Sequence, residues 1–297
     1  MPELSIMMPV YNAERFVTEA IESILAQTLT DFEFIIVNDG STDSSPQILE
    51  RYAQEDQRIR LVNQPNQGVV GARQTALDLV TTSYVAVTDA DDVSIPDRLE
   101  KQFGYLSDHE ECVLVCGHMR EIDPEGVFVR DITDELDHAR IDQMLMLLNN
   151  PIGHSTAMMR TSVVRQVGGY RDPYPTAEDY DLWLRLMEVG RVAVLNHVVI
   201  KRRLVDTGLT YSQSQTQRES GEAALADACR RRGVTVPQLD APNLSRIPLR
   251  CQWAVAARTA GNRSGARTLA WKALRAHPMS LTAWRVFAGC IVRQERM

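Results

Sequence analysis

Three acids lie within four positions at Asp89-Ala90-Asp91-Asp92, directly after the apolar run Tyr84-Val85-Ala86-Val87-Thr88. A short apolar run of this kind is typical of a buried strand, so the acids are expected at its C-terminal end. In an open α/β sheet, ligands bind at that end of the strands. Neighbouring carboxylates repel one another unless a cation or hydrogen-bond donors hold them, and hard divalent metals prefer oxygen ligands. The stretch therefore predicts a site for a metal and a phosphate group, with a solvated acidic loop as the simpler alternative.

A second triplet, Asp179-Tyr180-Asp181, shows that the spacing alone is weak support. Asp makes up 21 of the 297 residues. An Asp-x-Asp triplet therefore arises by chance about once or twice in a chain of this composition. The interpretation of Asp89–Asp92 depends on the elements around it.

Apolar runs alternate with helical patterns through the first ninety residues. We predict strands at Leu4–Met8, Phe34–Val37, Ile59–Val62 and Tyr84–Thr88, and helices at 13–26, from Pro46, and at 69–80. This alternation predicts a mainly parallel, doubly wound α/β sheet. Further along, apolar residues on both sides of Asp123-Pro124-Glu125-Gly126 predict a hairpin. A Rossmann dinucleotide site needs a glycine-rich turn after the first strand, and Pro9–Glu14 contains no glycine, which excludes NAD.

The composition indicates one large domain with an appendage. The chain is 44% hydrophobic, and none of its apolar stretches approaches the about 18 residues that a membrane span requires. No basic segment precedes the first strand, so we expect no signal peptide. The five cysteines are scattered without metal-ligand spacing, which predicts buried free thiols. We therefore expect a cytoplasmic protein, because free thiols suit a reducing compartment.

The net charge of −7 hides two unlike parts. Residues 241–297 carry ten Arg or Lys and one acid, a net of +9, so residues 1–240 carry −16 (−7 minus +9). Trp271, Trp284 and Phe287 lie among the basic residues of this tail. The pattern favours peripheral contact with the anionic inner face of a membrane, or with a lipid-diphosphate acceptor. A solvated basic face is the alternative, and the acidic body argues against nucleic acid.

Five motifs occur in a fixed order along the chain. They are Pro9-Val10-Tyr11-Asn12, Val37–Asp43, Asn66-Gln67-Gly68 with Ala72-Arg73, Asp89–Asp92, and Glu178-Asp179. Together they resemble the family 2 glycosyltransferases, which are inverting enzymes of the GT-A fold, over roughly residues 1–210. The resemblance implies a Rossmann-like, mainly parallel central sheet with an all-helical C-terminal extension. The corresponding domains are a catalytic domain at 1–212 and a basic helical extension at 213–297.

The resemblance also implies a reaction and a donor site. Such enzymes move a sugar from a nucleoside diphosphate, here expected to be UDP, to a hydroxyl of a glycan or lipid-linked glycan. Mn²⁺ or Mg²⁺ neutralises the leaving diphosphate, with Asp91 and Asp89 as the expected ligands. Asp39 is expected to accept a hydrogen bond from the base, although Asp39-Gly40 also suits a plain turn. The implied nucleotide-sugar-binding residues are Pro9, Val10, Tyr11, Asn12, Glu14, Asp39, Gly68, Arg73, Asp89, Ala90 and Asp91.

The implied general base is Asp179, with Glu178 contacting the acceptor or positioning the loop. Inversion by direct displacement needs a carboxylate that accepts the proton of the acceptor hydroxyl. Thr176-x-x-Asp179 is also a capping-box spacing, so a purely structural role is the alternative. His154 and His197 are lesser candidates, the latter as a metal ligand. A non-catalytic sugar-nucleotide-binding or scaffold protein of a glycan assembly complex is the other hypothesis for the whole chain.

Overall fold

The computed structural model describes residues 2–205, 214–239 and 247–291. Within these ranges one sheet contains nine strands. They are β1 Leu4–Val10, β2 Glu33–Asp39, β3 Ile59–Gln64, β4 Tyr84–Val87, β5 Val93–Ser94, β6 Cys112–Ile122, β7 Phe128–Ile132, β8 Met158–Arg160 and β9 Arg191–Arg203. The order is β3-β2-β1-β4-β8-β6-β9-β5, and β7 pairs with β6.

The first four strands form the parallel half of the sheet, as the sequence predicts. β6 and β9 are also parallel, whereas β5, β7 and β8 pair antiparallel with their neighbours. The predicted hairpin is formed by β6 and β7. Thus the sheet is mixed, and its parallel half carries the motifs that follow β1, β2 and β4.

Helices cover both faces of the sheet. They are α1 Val17–Leu25, α2 Ser45–Glu55, α3 Gly68–Leu79, α4 Arg98–Asp108, α5 His138–Leu145, α6 Thr161–Gln166, α7 Glu178–Leu186, α8 Ser214–Arg232, α9 Leu249–Thr259, α10 Arg263–Ala276 and α11 Leu281–Ile291, with a 3-10 turn at His154–Thr156. No helix in the described ranges is long and apolar enough to cross a membrane.

The apolar side chains of strand β2 face two different hydrophobic cores, one on each side of the sheet. Ile35 and Val37 belong to one hydrophobic core, and Phe34 and Ile36 belong to the other, because successive side chains of a strand point to opposite faces. The first core contains residues of α3, α7 and α8, and the second contains residues of α1 and α2. Burial on both faces is typical of parallel strands, and it leaves the strand ends as the exposed edge.

The C-terminal helices pack against two different parts of the protein. Helix α8 joins the first core through Ala224, Leu225 and Ala228, whereas α9 and α10 build a separate small core with β7. The predicted boundary at 212/213 lies outside the described residues, so the two-domain division stays a prediction. All five cysteines are buried and free, as predicted.

The second acidic triplet has a structural role at Asp181. This carboxylate is fully buried and accepts hydrogen bonds from the Nε of Arg171 at 3.0 Å and the Nε of Arg185 at 3.1 Å. Arg185 is buried too, and it also donates to the carbonyl oxygen of Gly169 at 2.7 Å. The carboxylate thereby ties α7 to the loop that precedes it.

Asp181→Asn is expected to lower the free energy of unfolding by about 3–5 kcal/mol, because Arg185 loses the negative charge that balances it in a buried site. Urea denaturation measures the change. Asp179→Asn is the matched control on the same helix: its side chain is partly exposed, and it should cost less than about 1 kcal/mol. Equal losses in the two variants would contradict the structural role of Asp181.

Candidate active site

The parallel strands bring the predicted motifs to one edge of the sheet. Asp39 is the last residue of β2, Tyr11 follows β1, and Asp89 lies two residues after β4. Because β1, β2 and β4 are parallel neighbours, their C-terminal ends meet at this edge. Helix α3 begins at the same edge with Gly68.

Arg73 joins three of the motifs. Its Nη2 lies 3.0 Å from Oδ1 of Asp89, and its Nη1 donates to Oε1 of Glu178. The arginine is buried on α3 and so is Glu178, so that ion pair forms out of water, whereas the side chain of Asp89 is 31% exposed. Burial alone would raise the pKa of Asp89, but the charge of the adjacent Arg73 is the main effect that outweighs burial, so the pKa lies well below its usual range. Asp89 is therefore ionised, and the site holds one connected ion-pair network.

Asp92 faces inward and holds the loop after β4. It is buried, it accepts a hydrogen bond from the Ser155 hydroxyl, and it accepts another from the backbone N–H of Arg203 at 2.9 Å. The Nε of Arg203 also donates to the carbonyl oxygen of Asp91 at 3.0 Å. Burial, together with the charges of Asp91 and Asp89, raises the pKa of Asp92 well above its usual value. Asp92 thus positions the loop rather than offering a free carboxylate.

Asp91 is the least compensated carboxylate of the loop. None of the hydrogen bonds found among the described residues is donated by another residue to its side chain, which is partly buried. Burial and the charge of Asp89 raise the pKa of Asp91 to about 6, because the negative form lacks a partner. A cation would supply that partner.

A divalent metal fits the donor set of this loop. Around the site, Asp89, Asp91, Asp92, Glu178 and Asp179 supply five carboxylates. The guanidinium groups near them are those of Arg73, Arg98, Arg202 and Arg203. Among the described residues, no three His, Cys, Asp or Glu side chains form a ready metal-binding group. Mg²⁺-like ions are commonly held by one or two carboxylates together with substrate phosphates, which matches Asp91 and Asp89 at this edge.

Glu178 and Asp179 begin α7 and differ in their environments. Glu178 is buried against Arg73. Burial raises its pKa, Arg73 opposes the shift and Asp179 adds to it, and the result is a pKa of about 7. Asp179 is partly exposed, and its Oδ2 accepts a hydrogen bond from Nδ2 of Asn150 at 3.2 Å.

The predicted capping box at the start of α7 is not formed. The N-cap residue is Ala177, which makes no side-chain cap hydrogen bond. The hydroxyl of Thr176 donates instead to Oγ of Ser220 on α8, at 3.2 Å. Since Thr176 does not pair with Asp179, the capping box does not account for the acids at this position.

Asp39 is held so that one carboxylate oxygen remains available. The Nε2 of Gln64 and the backbone N–H of Gln67 both donate to its Oδ1, at 2.7 and 2.8 Å, and no donor to Oδ2 is found in the described part of the chain. Gly40 has a φ of 71°, and a Cβ there would come within 2.7 Å of the Asn66 backbone nitrogen. Only glycine therefore allows the loops after β2 and β3 to approach so closely.

The loop after β1 is tied to the loop after β2. Asn12, with φ of 50°, accepts a hydrogen bond from the Thr42 N–H at 2.8 Å, and the Glu14 carboxylate accepts one from the Ser44 N–H at 2.9 Å. These two residues therefore shape the pocket wall. Tyr11 is 53% exposed and offers an open ring face beside Asp39.

Two other predicted contact residues have buried side chains. Val10 and Ala90 both belong to the second hydrophobic core, so only their backbone can face a ligand. Pro9 precedes Val10 within β1 and is partly exposed, and Gly68 opens α3 with φ of 77°.

The two histidines lie in different places. His197 contacts Oδ1 of Asp97 through Nε2 at 2.9 Å and lies beside Lys101, away from Asp89 and Asp91. The pairing of β6 with β9 is irregular at this point, where Gly117 pairs with Leu195 and His118 with Val198. A metal-ligand role does not fit this position of His197.

His154 is the histidine at the acid cluster. Its Nδ1 lies 3.8 Å from Oδ1 of Asp89, and its Nε2 is 2.9 Å from the Tyr170 hydroxyl. Burial and the charge of Arg73 lower its pKa, which favours the neutral ring.

Arg98 is a residue of the site that the sequence analysis missed. It is fully buried under the end of β4, where it donates to the Val87 carbonyl at 2.8 Å and to the Ser94 hydroxyl at 3.0 Å. Burial lowers the pKa of this guanidinium to about 10, which keeps it charged beside Asp92 and Asp89. The available signal was that Arg98 and Gln102 occupy the apolar face of α4 at a spacing of i and i+4.

The C-terminal helices contact the site through the β6–β7 turn. The ammonium of Lys272 on α10 binds the buried carboxylate of Asp123 and lies 2.9 Å from the Glu125 carboxylate. The neighbouring Pro124 carbonyl accepts a hydrogen bond from Arg203 Nη1 at 3.1 Å, and Arg203 holds the backbone of Asp91. A chain of polar contacts therefore joins α10 to the acidic loop.

The comparisons with known proteins agree with this fold and edge. Residues 5–168 match the family model for glycosyl transferase family 2. EpsE of Bacillus subtilis (strain 168), whose name assigns it provisionally to the glycosyltransferases, is 36% identical over 235 residues, which are 77% of this chain and 83% of EpsE. The chain therefore belongs to glycosyltransferase family 2, and it is a glycosyltransferase.

Longer and more distant proteins share the same region. Chondroitin synthase of Escherichia coli is 28% identical over 78% of this chain, which is only 33% of that protein. Residues 1–349 of S. aureus TarS in complex with UDP-GlcNAc superpose with a TM-score of 0.61 at 19% identity, covering 98% of this chain and 89% of TarS 1–349. The mannosyltransferase PcManGT from Pyrobaculum calidifontis, in complex with GDP-Man and Mn²⁺, superposes with a TM-score of 0.59 at 19% identity over 97% and 79% of the two chains. The predicted GT-A fold with C-terminal helices is confirmed.

Lys272→Met is expected to lower the free energy of unfolding by about 1–3 kcal/mol, because the buried Asp123 carboxylate loses its cation. Urea denaturation followed by tryptophan fluorescence measures it. Lys272→Arg keeps a cation within reach and should recover most of the loss. Unchanged stability in Lys272→Met would contradict the contact between α10 and the turn.

Proposed function

We propose that this glycosyltransferase is an inverting, metal-dependent enzyme that moves a sugar from a UDP-sugar to a hydroxyl of a glycan or lipid-linked glycan. The observation that supports this most is the pairing of Arg73 with both Asp89 and Glu178. It brings the acids expected at the donor diphosphate together with the acids expected at the acceptor. Relatives that include a chondroitin synthase support a role in polysaccharide biosynthesis.

Asp179 is the proposed general base. Its partly exposed carboxylate receives the proton as the acceptor oxygen forms its bond to the anomeric carbon and the bond from that carbon to the diphosphate oxygen breaks. Glu178 is buried and bound to Arg73, so it is less accessible to an acceptor hydroxyl. Its proposed role is to hold Arg73, and through Arg73 the orientation of Asp89.

Asp91 and Asp89 are the proposed metal ligands. A divalent cation bound there would neutralise the charge that develops on the leaving diphosphate. The carboxylate of Asp91, which receives no hydrogen bond from another described residue, favours such an ion. PcManGT was solved with Mn²⁺, which supports Mn²⁺ as the first ion to test.

Asp39 is the proposed reader of the base. Its Oδ2, which lacks a donor within the described residues, can accept a hydrogen bond from the N3–H of uracil, and Tyr11 can pack against the ring. Cytosine has no hydrogen at N3, so CDP cannot donate this hydrogen bond and is the nucleotide to compare with UDP. The pocket wall formed by Pro9, Asn12 and Glu14, and the helix start at Gly68, complete the proposed donor site.

The acceptor and the location of the enzyme are proposed from its charge. The basic C-terminal helices would hold a cytoplasmic enzyme at the anionic inner face of a membrane, where a lipid-linked acceptor is reached. A non-catalytic binding or scaffold protein, which is the alternative, would bind the donor without turning it over.

Asp179→Asn is expected to lower the kcat of UDP-sugar hydrolysis or transfer by about 100- to 10,000-fold, because the general base is lost. The affinity for UDP, measured by calorimetry, should stay unchanged. Asp108→Asn, at the exposed end of α4, is the control and should keep full activity. Full turnover in Asp179→Asn would exclude Asp179 as the base, and UDP binding without turnover in the unaltered chain would support the scaffold alternative.

Asp91→Asn is expected to weaken Mn²⁺ binding in the presence of UDP by at least about tenfold, since even outer-shell partners of a metal contribute that much. Mn²⁺ titration of UDP-dependent thermal stabilisation measures the affinity. His197→Gln is the matched control, because His197 lies beside Asp97 and Lys101 instead, and it should leave the titration unchanged. The opposite pattern would move the metal site to His197.

A further inference from the structure

The last two helices expose an apolar surface with a basic rim. We call it the α10–α11 face, and it consists of Arg267, Trp271, Arg275, Met279, Leu281, Trp284 and Arg285. Met279 is 94% exposed and Leu281 is 74% exposed, and both tryptophans are 52% exposed. Large apolar side chains concentrated in this way, rather than scattered singly, indicate a binding surface.

The side chains of the face are held in place from within. The ring of Phe287 packs against Trp271 and Trp284, with centroids 5.6 and 6.2 Å apart. Trp284 also donates from Nε1 to the Pro278 carbonyl at 2.9 Å. The opposite sides of α10 and α11 bury Ala270 and Ala283. The exposed tryptophans are therefore fixed outward, and little conformational entropy is lost when a partner covers them.

The charge around the face has one sign. Residues 249–291 contain six arginines and one lysine and no aspartate or glutamate. On α10, Arg267, Trp271 and Arg275 follow one another at intervals of four residues, which places them on one side of the helix. A partner of the α10–α11 face must therefore be negatively charged at its surface and apolar beneath.

We propose that the α10–α11 face binds an anionic lipid bilayer, with Met279, Leu281 and Trp284 entering the interface and the arginines contacting the headgroups. Lipid headgroups above acyl chains supply both properties that the face requires. Nucleic acid would meet the arginines but leave Met279 and Leu281 without an apolar partner. A second copy of this chain would bring the three arginines of the face against those of the other copy.

The position of the face relates it to the active site. Trp271 precedes Lys272, whose ammonium binds Asp123 and Glu125 at the β6–β7 turn, and that turn contacts Arg203 beside Asp91. A bilayer on the α10–α11 face would therefore contact the helix that is linked to the acidic loop. This part of the inference rests on the proposed function, because it places a lipid-linked acceptor within reach.

Vesicle binding by the full chain tests the proposal without any sugar donor. The chain is sedimented with vesicles of phosphatidylcholine and phosphatidylglycerol in equal parts, and with vesicles of phosphatidylcholine alone. We expect binding to the anionic vesicles, weakened by salt, and a blue shift of tryptophan emission from Trp271 and Trp284, since Trp183 and Trp253 are already buried.

Two variants separate the two parts of the surface. M279S/L281S should lower the partition coefficient at least about tenfold, because two exposed apolar side chains are lost. R267Q/R275Q/R285Q should lower it by about fivefold per charge and remove the preference for anionic vesicles. Val236→Ser, an exposed apolar residue elsewhere, and Arg191→Gln are the matched controls and should bind like the unaltered chain. Circular dichroism and UDP binding verify that every variant is folded.

Several outcomes would overturn the proposal. They are the absence of vesicle binding, equal binding by M279S/L281S, binding to single-stranded DNA that M279S/L281S does not alter, or a dimer that this variant dissociates while no vesicle is bound. Because vesicle binding needs no donor and donor hydrolysis needs no vesicle, failure of this inference is distinguishable from failure of the proposed function.

Discussion

The ion pairs of Arg73 are the interaction on which the site depends. One buried guanidinium contacts Asp89, after the fourth strand, and Glu178, at the start of α7. Burying the guanidinium of Arg73 and the carboxylate of Glu178 is costly unless the charges meet directly, so neither group can be moved independently. The two ion pairs hold the end of β4 beside the first turn of α7, although Asp89 and Glu178 are 89 residues apart in the sequence (178 minus 89).

The same edge holds a carboxylate that receives no hydrogen bond from another residue in the described part of the chain. Arg98 lies beneath the strand end and Arg203 secures the loop from the other side, yet Asp91 has a pKa raised to about 6. A carboxylate without such a donor is available to a cation, as the proposed function requires.

The C-terminal helices connect this edge to a second surface. Their small core packs on β7, and Lys272 reaches the turn that also contacts Arg203. On its outer side the same helix pair presents tryptophans and arginines. In the proposed function, this link would relate the acid cluster to an acceptor at the membrane.

The sequence by itself determined the alternating elements, the parallel half of the sheet, the hairpin and the positions of the acids at strand ends. These follow from local periodicity and turn chemistry, which short segments of sequence contain. It also determined the family, because five motifs in order are far more specific than any one of them.

Only the tertiary structure decided which polar groups meet. Asp179 and Asp181 are the same residue type within one triplet, yet on α7 the first is partly exposed and the second is buried between two arginines. His154 rather than His197 reaches Asp89, from 65 residues away in the sequence (154 minus 89), and Arg98 lies under the end of β4, because strand irregularity and helix packing set these contacts. The spacing of residues along the chain does not specify these contacts, because they depend on which helices pack on each face of the sheet.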